Sequence, residues 1–369
     1  MLQNLPVLQS VRGQLGLLRL NRPQQLNALD MTSIELLDTA LEEWRDHRGI
    51  GAVLIYQEGC RAFCAGGDVR TIWDLKQRGD AFWPHNLRYI TAYFRREYQL
   101  NDTIKYYPKP VIVIMDGLTM GGGVGLSVHA SHRLATPNTA LAMPEAAIGF
   151  IPDVGSSYVF SRLPEKLGTL AALTAYRFNA AESVALGLAH AMMPDGSTAA
   201  LIDHLSSHPL ADIAHDDMHH LLSPYLIQPP QAEGLAGLIT LSATLPFENL
   251  EAVEKNLAAL PSTLLPPAMR HNWPSMCPLS QALIVRQMDK AKHLGFGDCL
   301  QMEYQLCCAM LAGPNFYEGV RAALVHKDRK PVWNPARHAD VTPQMIDDAW
   351  SPHHSATLPR LVLPEGDHA

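Results

Sequence analysis

AFCAGGD at residues 62–68 and MGGGVGL at residues 120–126 are the two stretches that decide the fold of this chain. Each follows an apolar run of strand length, Ala52–Tyr56 before the first and Val111–Met115 before the second, and the second stretch opens a helical pattern. Glycine lets a ligand carbonyl approach the backbone N–H closely, and a helix N-terminus adds a positive dipole. Two such amides converging on one oxygen form an oxyanion hole. The competing interpretation is that these glycines serve ordinary turns and close packing.

Strands and helices alternate around the two stretches. Leu15–Leu20 is a further apolar run, and Asp30 can cap the helix that follows it. A second helical pattern covers Phe82–Asn101, while His132–Thr136 and Leu141–Met143 have the length of short strands. Because alternating strands and helices need crossover connections, the pattern predicts an α/β fold with a largely parallel sheet.

The second half of the chain has a different composition. Of the 27 prolines in the full sequence, ten lie at or before residue 208 and seventeen lie after it. Between these breaks, apolar residues recur at helical spacing in four segments: Phe247–Ala259, Ser280–Leu294, Asp298–Leu311 and Phe316–Val325. We therefore predict a core at 1–208 and a mainly helical region at 209–369, with a poorly ordered tail from Pro352 onward.

The composition argues against several classes of protein. A formal net charge of −7 and a pI near 6.2 disfavour a nucleic-acid surface, since phosphate neutralisation needs clustered Lys and Arg. The apolar runs are far shorter than the roughly 20 residues that span a bilayer, and residues 1–12 lack the pattern of a signal peptide. Six cysteines without a paired framework fit a reducing compartment. We predict a cytoplasmic protein with neither a membrane nor a nucleic-acid partner.

A third stretch, residues 143–155, carries two acids among apolar residues. Glu145 and Asp153 stand where an unpaired carboxylate would be costly unless it had a function or a partner. A desolvated carboxylate can act as a base or a nucleophile near neutral pH. The alternative is a buried structural acid that is paired with an arginine.

Other motifs are weaker. Ser127 lies in a pattern similar to a nucleophile elbow, but the final glycine of that motif is missing. The glycine run gives neither a P-loop nor a dinucleotide fingerprint. His215 and His219 could bind a metal from one helix face, although their polar neighbours favour a solvated surface. Cys64 could be a thiol nucleophile, but no histidine stands in a recognisable pattern with it.

The three stretches together resemble the crotonase (enoyl-CoA hydratase/isomerase) superfamily, and within it the 3-hydroxyisobutyryl-CoA hydrolase branch. AFCAGGDVR (62–70), MGGGVGLSVH (120–129) and AMPEAAIGFIPDVG (142–155) match that branch almost continuously. Further matches are Arg96-Glu97-Tyr98 and the late segment Phe316–Ala322. The resemblance covers roughly residues 10–340 and implies a crotonase fold of repeated ββα units with a C-terminal helical region.

The resemblance also implies roles for individual residues. Gly67 and Gly122 would supply the oxyanion-hole amides, Glu145 and Asp153 would be the catalytic acids, and Glu97 would contact the substrate. Three neighbouring residues are also expected to contact the substrate: Gly66, Asp68 and Gly121. The implied substrate is an acyl-CoA, with no separate cofactor and no metal. Assembly as a homo-oligomer is left open.

Position 125 distinguishes between reactions within the superfamily. Hydratases carry a second catalytic glutamate there, whereas this chain has Gly125. Since hydration requires paired carboxylates around one water, the resemblance implies hydrolysis of a 3-hydroxyacyl-CoA thioester. Glu145 could be either the nucleophile or the general base. The alternatives are an enoyl-CoA hydratase or isomerase that uses Glu145 alone, and a non-catalytic acyl-CoA-binding protein. The segment Gly155-Ser156-Ser157-Tyr158 stands where a glycine-rich stretch is usual, which leaves the acyl group open.

Overall fold

The computed structural model describes residues 4–79, 83–261, 265–351 and 358–364. The strands are β1 (Val7–Arg12), β2 (Leu15–Leu20), β3 (Ala52–Gln57), β4 (Ala62–Cys64), β5 (Val111–Met115), β6 (Leu118–Met120), β7 (His132–Ala135), β8 (Ala140–Ala142), β9 (Phe178–Asn179) and β10 (Ala191–Met192). The helices up to residue 232 are α1 (Met31–Arg45), α2 (Val69–Lys76), α3 (Trp83–Lys105), α4 (Gly122–Val128), α5 (Ser156–Phe160), α6 (Leu167–Thr174), α7 (Ala180–Ala185), α8 (Thr198–Ser206) and α9 (His215–Leu222). The later helices are α10 (Leu235–Thr244), α11 (Leu250–Ala259), α12 (Pro267–Asn272), α13 (Pro278–Ala291), α14 (Phe296–Ala312), α15 (Asn315–Val320) and α16 (Pro343–Ala349).

The strands form two sheets, which are built from a repeated strand–strand–helix motif. The larger sheet has the order β1-β2-β3-β5-β7-β10 and the smaller has the order β4-β6-β8-β9. In the larger sheet, β1 pairs antiparallel with β2, and the pairs from β2 to β10 are parallel. Successive pairs β3-β4, β5-β6 and β7-β8 each give one strand to either sheet before the chain turns into a helix. This arrangement confirms the predicted α/β fold of repeated ββα units.

The larger sheet is covered by a helical layer on one face. Strands β3 and β5 are buried along their whole length, as expected for the centre of a parallel sheet. Leu54 and Ile112 pack there with Leu205 of α8 and Met218 of α9 in one apolar cluster. Full burial of each such side chain stabilises the folded state by about 1.5–3 kcal/mol. The cluster therefore fixes the sheet, from which the glycine segments extend.

The chain divides into two compact units. One, here called the sheet unit, comprises Met1–Gly67, Gln99–Leu141 and Phe178–Ala232. The other, the helical unit, comprises Asp68–Tyr98, Ala142–Arg177 and Glu233–Ala369. The predicted division into 1–208 and 209–369 stays a prediction about folding domains. The compact units follow other boundaries, because Met218 and Leu222 of α9 complete the core under the sheet.

The predicted helices of the second half are present. The four patterns correspond to α11, α13, α14, and α15 with a following π-helical turn at Arg321–Val325. Inside the helical unit, α13 packs against α5, α6 and α16, and α14 packs against α5 and α15. The regular elements described after residue 208 are all helical. No helix in the described ranges is long and apolar enough to cross a membrane. Most of the predicted tail from Pro352 lies outside the described residues.

Candidate active site

The two glycine stretches come together inside the sheet unit. Strands β4 and β6 are parallel neighbours, so the residues that follow them emerge at the same edge of the smaller sheet. A Cβ placed on Gly66 would lie 3.4 Å from the carbonyl oxygen of Met120 and 3.8 Å from the nitrogen of Gly122. The backbones of the two stretches therefore approach each other closely, as the predicted oxyanion hole requires.

The local geometry leaves the two predicted amides available. Gly121 has φ 48° and ψ −121°, a conformation that needs glycine, and it turns the chain into α4. Gly122 is the first residue of α4, where a helix N–H has no acceptor within the helix. Leu29 pairs with Gly67 as a parallel bridge and donates its N–H to the Gly66 carbonyl at 2.8 Å. That pairing leaves the Gly67 N–H directed away from Leu29.

Three acids come together inside the helical unit. Glu145 begins a 3-10 turn, Glu145–Ile148, and Asp153 lies in the loop before α5. Glu97 lies on α3. The exposed fractions of these residues are 6% for Glu145, 5% for Asp153 and 2% for Glu97. All three carboxyls are thus removed from water.

Burial and mutual repulsion perturb the ionisation of this acid cluster. Burial raises the pKa of Glu145 well above its usual range, and the charges of Asp153 and Glu97 raise it further. Burial and the charge of Asp153 likewise raise the pKa of Glu97. Burial raises the pKa of Asp153 to about 7. No arginine or lysine of the described chain is among the groups that shift these three pKa values, which argues against a structural ion pair. Such a cluster can hold acid and base forms together near neutral pH.

Two oxygens of the cluster have no hydrogen-bond partner among the described residues. Oε1 of Glu97 and Oε2 of Glu145 are buried and accept no hydrogen bond from the residues that the structure describes. An unsatisfied buried acceptor costs about 1–3 kcal/mol. A bound substrate or water that donates to these atoms would remove that cost.

A tyrosine completes the acid cluster. The hydroxyl of Tyr98, one residue after Glu97 on α3, donates to Oδ2 of Asp153 at 2.8 Å. This bond favours the ionised form and so lowers the pKa of Asp153 against the effect of burial. The sequence places Tyr98 in a matching stretch but assigns it no role. The available signal for such a role was the position of Tyr98, a tyrosine directly after the candidate acid Glu97 in the sequence.

The loop that carries Asp153 is strained. Val154 has φ +54° and Gly155 has φ +75°. A β-branched residue in this region is unusual and costs on the order of 1–3 kcal/mol. Gln287 and Glu303, from α13 and α14, hydrogen-bond the backbone of this loop. Neither residue is predicted from the sequence, because both lie more than 130 positions along the chain from the loop that they bind.

Helix α15 supports the turn that carries Glu145. A Cβ on Gly319 would lie 2.3 Å from the carbonyl carbon of Ile148, so only glycine permits this approach. The backbone N–H of Cys277 also donates to the Ala146 carbonyl at 2.9 Å. The late Phe316–Ala322 match therefore has a physical basis, because α15 packs directly on the turn of the predicted catalytic glutamate.

The remaining predicted residues have local roles. Asp68 is the N-cap of α2, and its side chain accepts from the Thr71 N–H at 3.4 Å. Its contact with substrate stays a prediction, as do the roles of the other predicted site residues. Cys64 is buried, with its Sγ 3.7 Å from the Gly66 carbonyl oxygen. His215 stacks on His132 at 5.7 Å between ring centroids. No cluster of three potential metal-binding side chains occurs in the described residues.

Comparisons with known proteins identify relatives of this chain. The 3-hydroxyisobutyryl-CoA hydrolase, mitochondrial, of Xenopus tropicalis is 36% identical over 341 residues, which are 91% of this chain and 86% of that protein. The human protein of the same name is 31% identical over 357 residues, covering 95% of this chain and 90% of the relative.

Solved structures are also similar. A carnitinyl-CoA dehydratase from Mycobacterium thermoresistibile matches with a TM-score of 0.85 and 32% identity, over 97% of this chain and 99% of that one. An enoyl-CoA hydratase from Rhodobacter sphaeroides matches with a TM-score of 0.82 and 29% identity, over 94% and 98%. The sequence model of the enoyl-CoA hydratase/isomerase family matches residues 15–350. This chain, with its crotonase fold, therefore belongs to the enoyl-CoA hydratase/isomerase family.

Proposed function

We propose that this protein hydrolyses a 3-hydroxyacyl-CoA thioester to the 3-hydroxy acid and free CoA. The observation that carries the proposal is the buried cluster of Glu97, Glu145 and Asp153, two of whose oxygens have no partner in the described chain. The preferred substrate is 3-hydroxyisobutyryl-CoA, a compound of valine breakdown. Relatives named 3-hydroxyisobutyryl-CoA hydrolase, 31–36% identical over more than 90% of the chain, support this choice.

Backbone amides bind the thioester oxygen in this proposal. The N–H groups of Gly67 and Gly122 donate to the carbonyl oxygen, and the bonds strengthen as that oxygen becomes negative in the transition state. One such donor is typically worth about 3–4 kcal/mol. We assign Gly66, Gly121 and Asp68 to the substrate-binding surface around this oxygen.

Glu145 acts on the carbonyl carbon. In one route its carboxylate attacks the carbon, the C–S bond breaks, and CoA leaves as a thiolate that takes up a proton. Water then cleaves the mixed anhydride. In the other route Glu145 removes a proton from water, and the hydroxide attacks the carbon directly. Both routes consume one water and release one acid and one thiol.

Asp153 and Glu97 recognise the 3-hydroxyl group. Their raised pKa values allow each carboxyl to carry a proton near neutral pH, so each can donate to the hydroxyl or accept from it. A buried polar site of this kind rejects a substrate that lacks the hydroxyl, because its own groups would be left unpaired.

Hydration of an enoyl-CoA is the second candidate. It is favoured by the similar solved structures described as a dehydratase and a hydratase. Position 125 disfavours it, since Gly125 in α4 provides no second carboxylate beside the water. A non-catalytic acyl-CoA-binding protein is a weaker alternative, because binding CoA alone does not require buried acids with raised pKa values.

Thiol release from a panel of acyl-CoA substrates tests the function. We expect CoA release from 3-hydroxyisobutyryl-CoA, and turnover of isobutyryl-CoA that is lower by about 100-fold or more, since only the hydroxyl differs. Crotonyl-CoA should keep its enoyl absorbance. Equal turnover of the two isobutyryl compounds would remove the role of Asp153 and Glu97. Loss of enoyl absorbance without thiol release, at a comparable rate, would establish the hydratase.

The cellular setting belongs to the same proposal. Six free thiols among the described residues fit a reducing compartment, and we propose the cytoplasm. The animal relatives are named mitochondrial, so a fluorescent fusion in the source cell would distinguish the two. We propose that the protein needs no separate cofactor and that it can assemble as a homo-oligomer. Activity after exhaustive dialysis and light scattering test these points.

A further inference from the structure

Asp153 lies on a turn that cannot keep its shape unaided. Val154 and Gly155, the next two residues, both have positive φ, at 54° and 75°. Glycine adopts such angles readily, but the branched Cβ of valine crowds the backbone there. A strained turn of this kind persists only where its surroundings hold it.

Two buried side chains from distant helices hold the backbone of the turn. Glu303 of α14 accepts the Gly155 N–H at 2.7 Å through Oε2 and the Ser157 N–H at 3.0 Å through Oε1. Gln287 of α13 donates to the Pro152 carbonyl at 2.5 Å. Both side chains are fully buried. The bonds of Glu303 lie directly after the strained valine, and the bond of Gln287 lies directly before Asp153.

We propose that Glu303 is a positioning residue, whose carboxyl group holds the Val154–Gly155 turn and thereby places the Asp153 carboxyl for reaction. Asp153 then accepts the hydrogen bond of the Tyr98 hydroxyl. The catalytic part of the inference rests on the proposed function of Asp153. The structural part rests only on the bonds to Gly155 and Ser157.

The chemistry of Glu303 favours this role over simple filling of a helix interface. Burial raises its pKa to about 8, and the nearby charge of Asp153 also raises it. An acid in that environment costs stability, which the two N–H bonds offset only in part. An amide side chain could satisfy one N–H without that cost. The two oxygens of the Glu303 carboxyl each accept from one N–H group, which the single oxygen of an amide in the same place cannot do.

The primary test is Glu303→Gln, which keeps the shape and one acceptor oxygen but replaces the other with an NH2 group. We expect kcat to fall by about 20-fold with KM within about 3-fold, since displacement of a reacting group by about 1 Å can cost as much as 100-fold. A wild-type kcat in the folded variant would overturn the proposal. Circular dichroism and thermal unfolding establish that the variant is folded.

A double-mutant cycle separates positioning from stability. Val154→Gly removes the strain, so the turn should depend less on Glu303. In the Val154→Gly background, we expect the loss caused by Glu303→Gln to shrink from about 20-fold to below about 5-fold. An undiminished loss would contradict the idea that Glu303 acts through the turn. Leu170→Ala, in buried α6 of the same unit, is the control for lost stability. It should lower the thermal midpoint while kcat stays within about 3-fold.

Amide hydrogen exchange makes the outcome independent of the assigned reaction. Exchange at Gly155 and Ser157 should be about tenfold faster in Glu303→Gln, with the change confined to residues near 150–160. Unchanged exchange would overturn the inference whatever the activity. If the wild type releases no CoA from any thioester, the proposed function fails. The cycle is then measured on enoyl-CoA hydration, in which unchanged kcat in Glu303→Gln would still overturn the catalytic part.

Discussion

Replacing Asp153 with asparagine should stabilise the protein at alkaline pH. In the folded chain, burial raises the pKa of this carboxyl from 3.8 to about 7. The folded state therefore keeps a proton that the unfolded chain releases at a much lower pH. Stability from this group is fully present below pH 3.8 and is lost as pH rises through about 7. Asparagine keeps an acceptor for the Tyr98 hydroxyl and carries no charge.

The size of the effect follows from the pKa difference. One pKa unit is equivalent to about 1.4 kcal/mol. The raised pKa of Asp153 therefore lowers the free energy of unfolding by about 4 kcal/mol at pH 8 and by under about 2 kcal/mol at pH 5. The gain from Asp153→Asn should therefore grow by about 2–3 kcal/mol between pH 5 and pH 8.

Urea unfolding followed by tryptophan fluorescence, at pH 5, 6, 7 and 8, measures this gain. The m-value should be unchanged, so the shift of the midpoint reports stability alone. Glu43→Gln, on the exposed face of α1, is the matched control and should give no such pH dependence. A gain for Asp153→Asn that is the same at all four pH values would refute the claim that burial controls its ionisation.

Three further substitutions test the site. Gly122→Val places a branched side chain beside the proposed oxyanion amide. It should lower kcat by about 100-fold or more with the fold retained. Gly237→Val, whose Cβ would meet no atom within 4 Å, is the control for the substitution itself. Glu145→Gln should abolish CoA release, and residual thiol release near the wild-type rate would exclude both proposed routes. Tyr98→Phe removes the hydrogen bond that lowers the pKa of Asp153. The limb of the pH–rate profile that reports the ionisation of Asp153 should then move to higher pH. A limb that does not move would show that Tyr98 has no influence on the ionisation of Asp153.

The contiguous motifs could be read from the sequence because their chemistry is local. Glycines after two apolar runs predict that the two stretches converge, and the backbone at Gly66 does lie close to that at Met120 and Gly122. The buried acids Glu145 and Asp153 could be proposed because their neighbours are apolar. Strand β1 could not be predicted from the sequence, since it is an edge strand with one buried residue and shows no apolar run. The edge position removes the signal that identifies the central strands.

Residues that act through tertiary contacts left no trace in the sequence pattern. Glu303 and Gln287 look like ordinary polar positions on amphipathic helices, and only folding shows that both are buried against the Asp153 loop. Helix α10 was likewise not indicated by the four helical patterns of the sequence. The order of the strands, and the division into two units, also depend on contacts between distant segments.

The close packing of Gly319 on Ile148 has a consequence for synthesis of the chain. The turn that carries Glu145 leaves the ribosome about 170 residues before the helix that supports it. At 5–20 residues per second, that interval is roughly 10–35 seconds. The last segment of the sheet unit ends at Ala232, whereas the helical unit needs segments up to α15 and beyond. The nascent protein therefore carries its proposed catalytic glutamate without this support for many seconds, and a chain truncated before Gly319 would lack the helix that packs on the Glu145 turn.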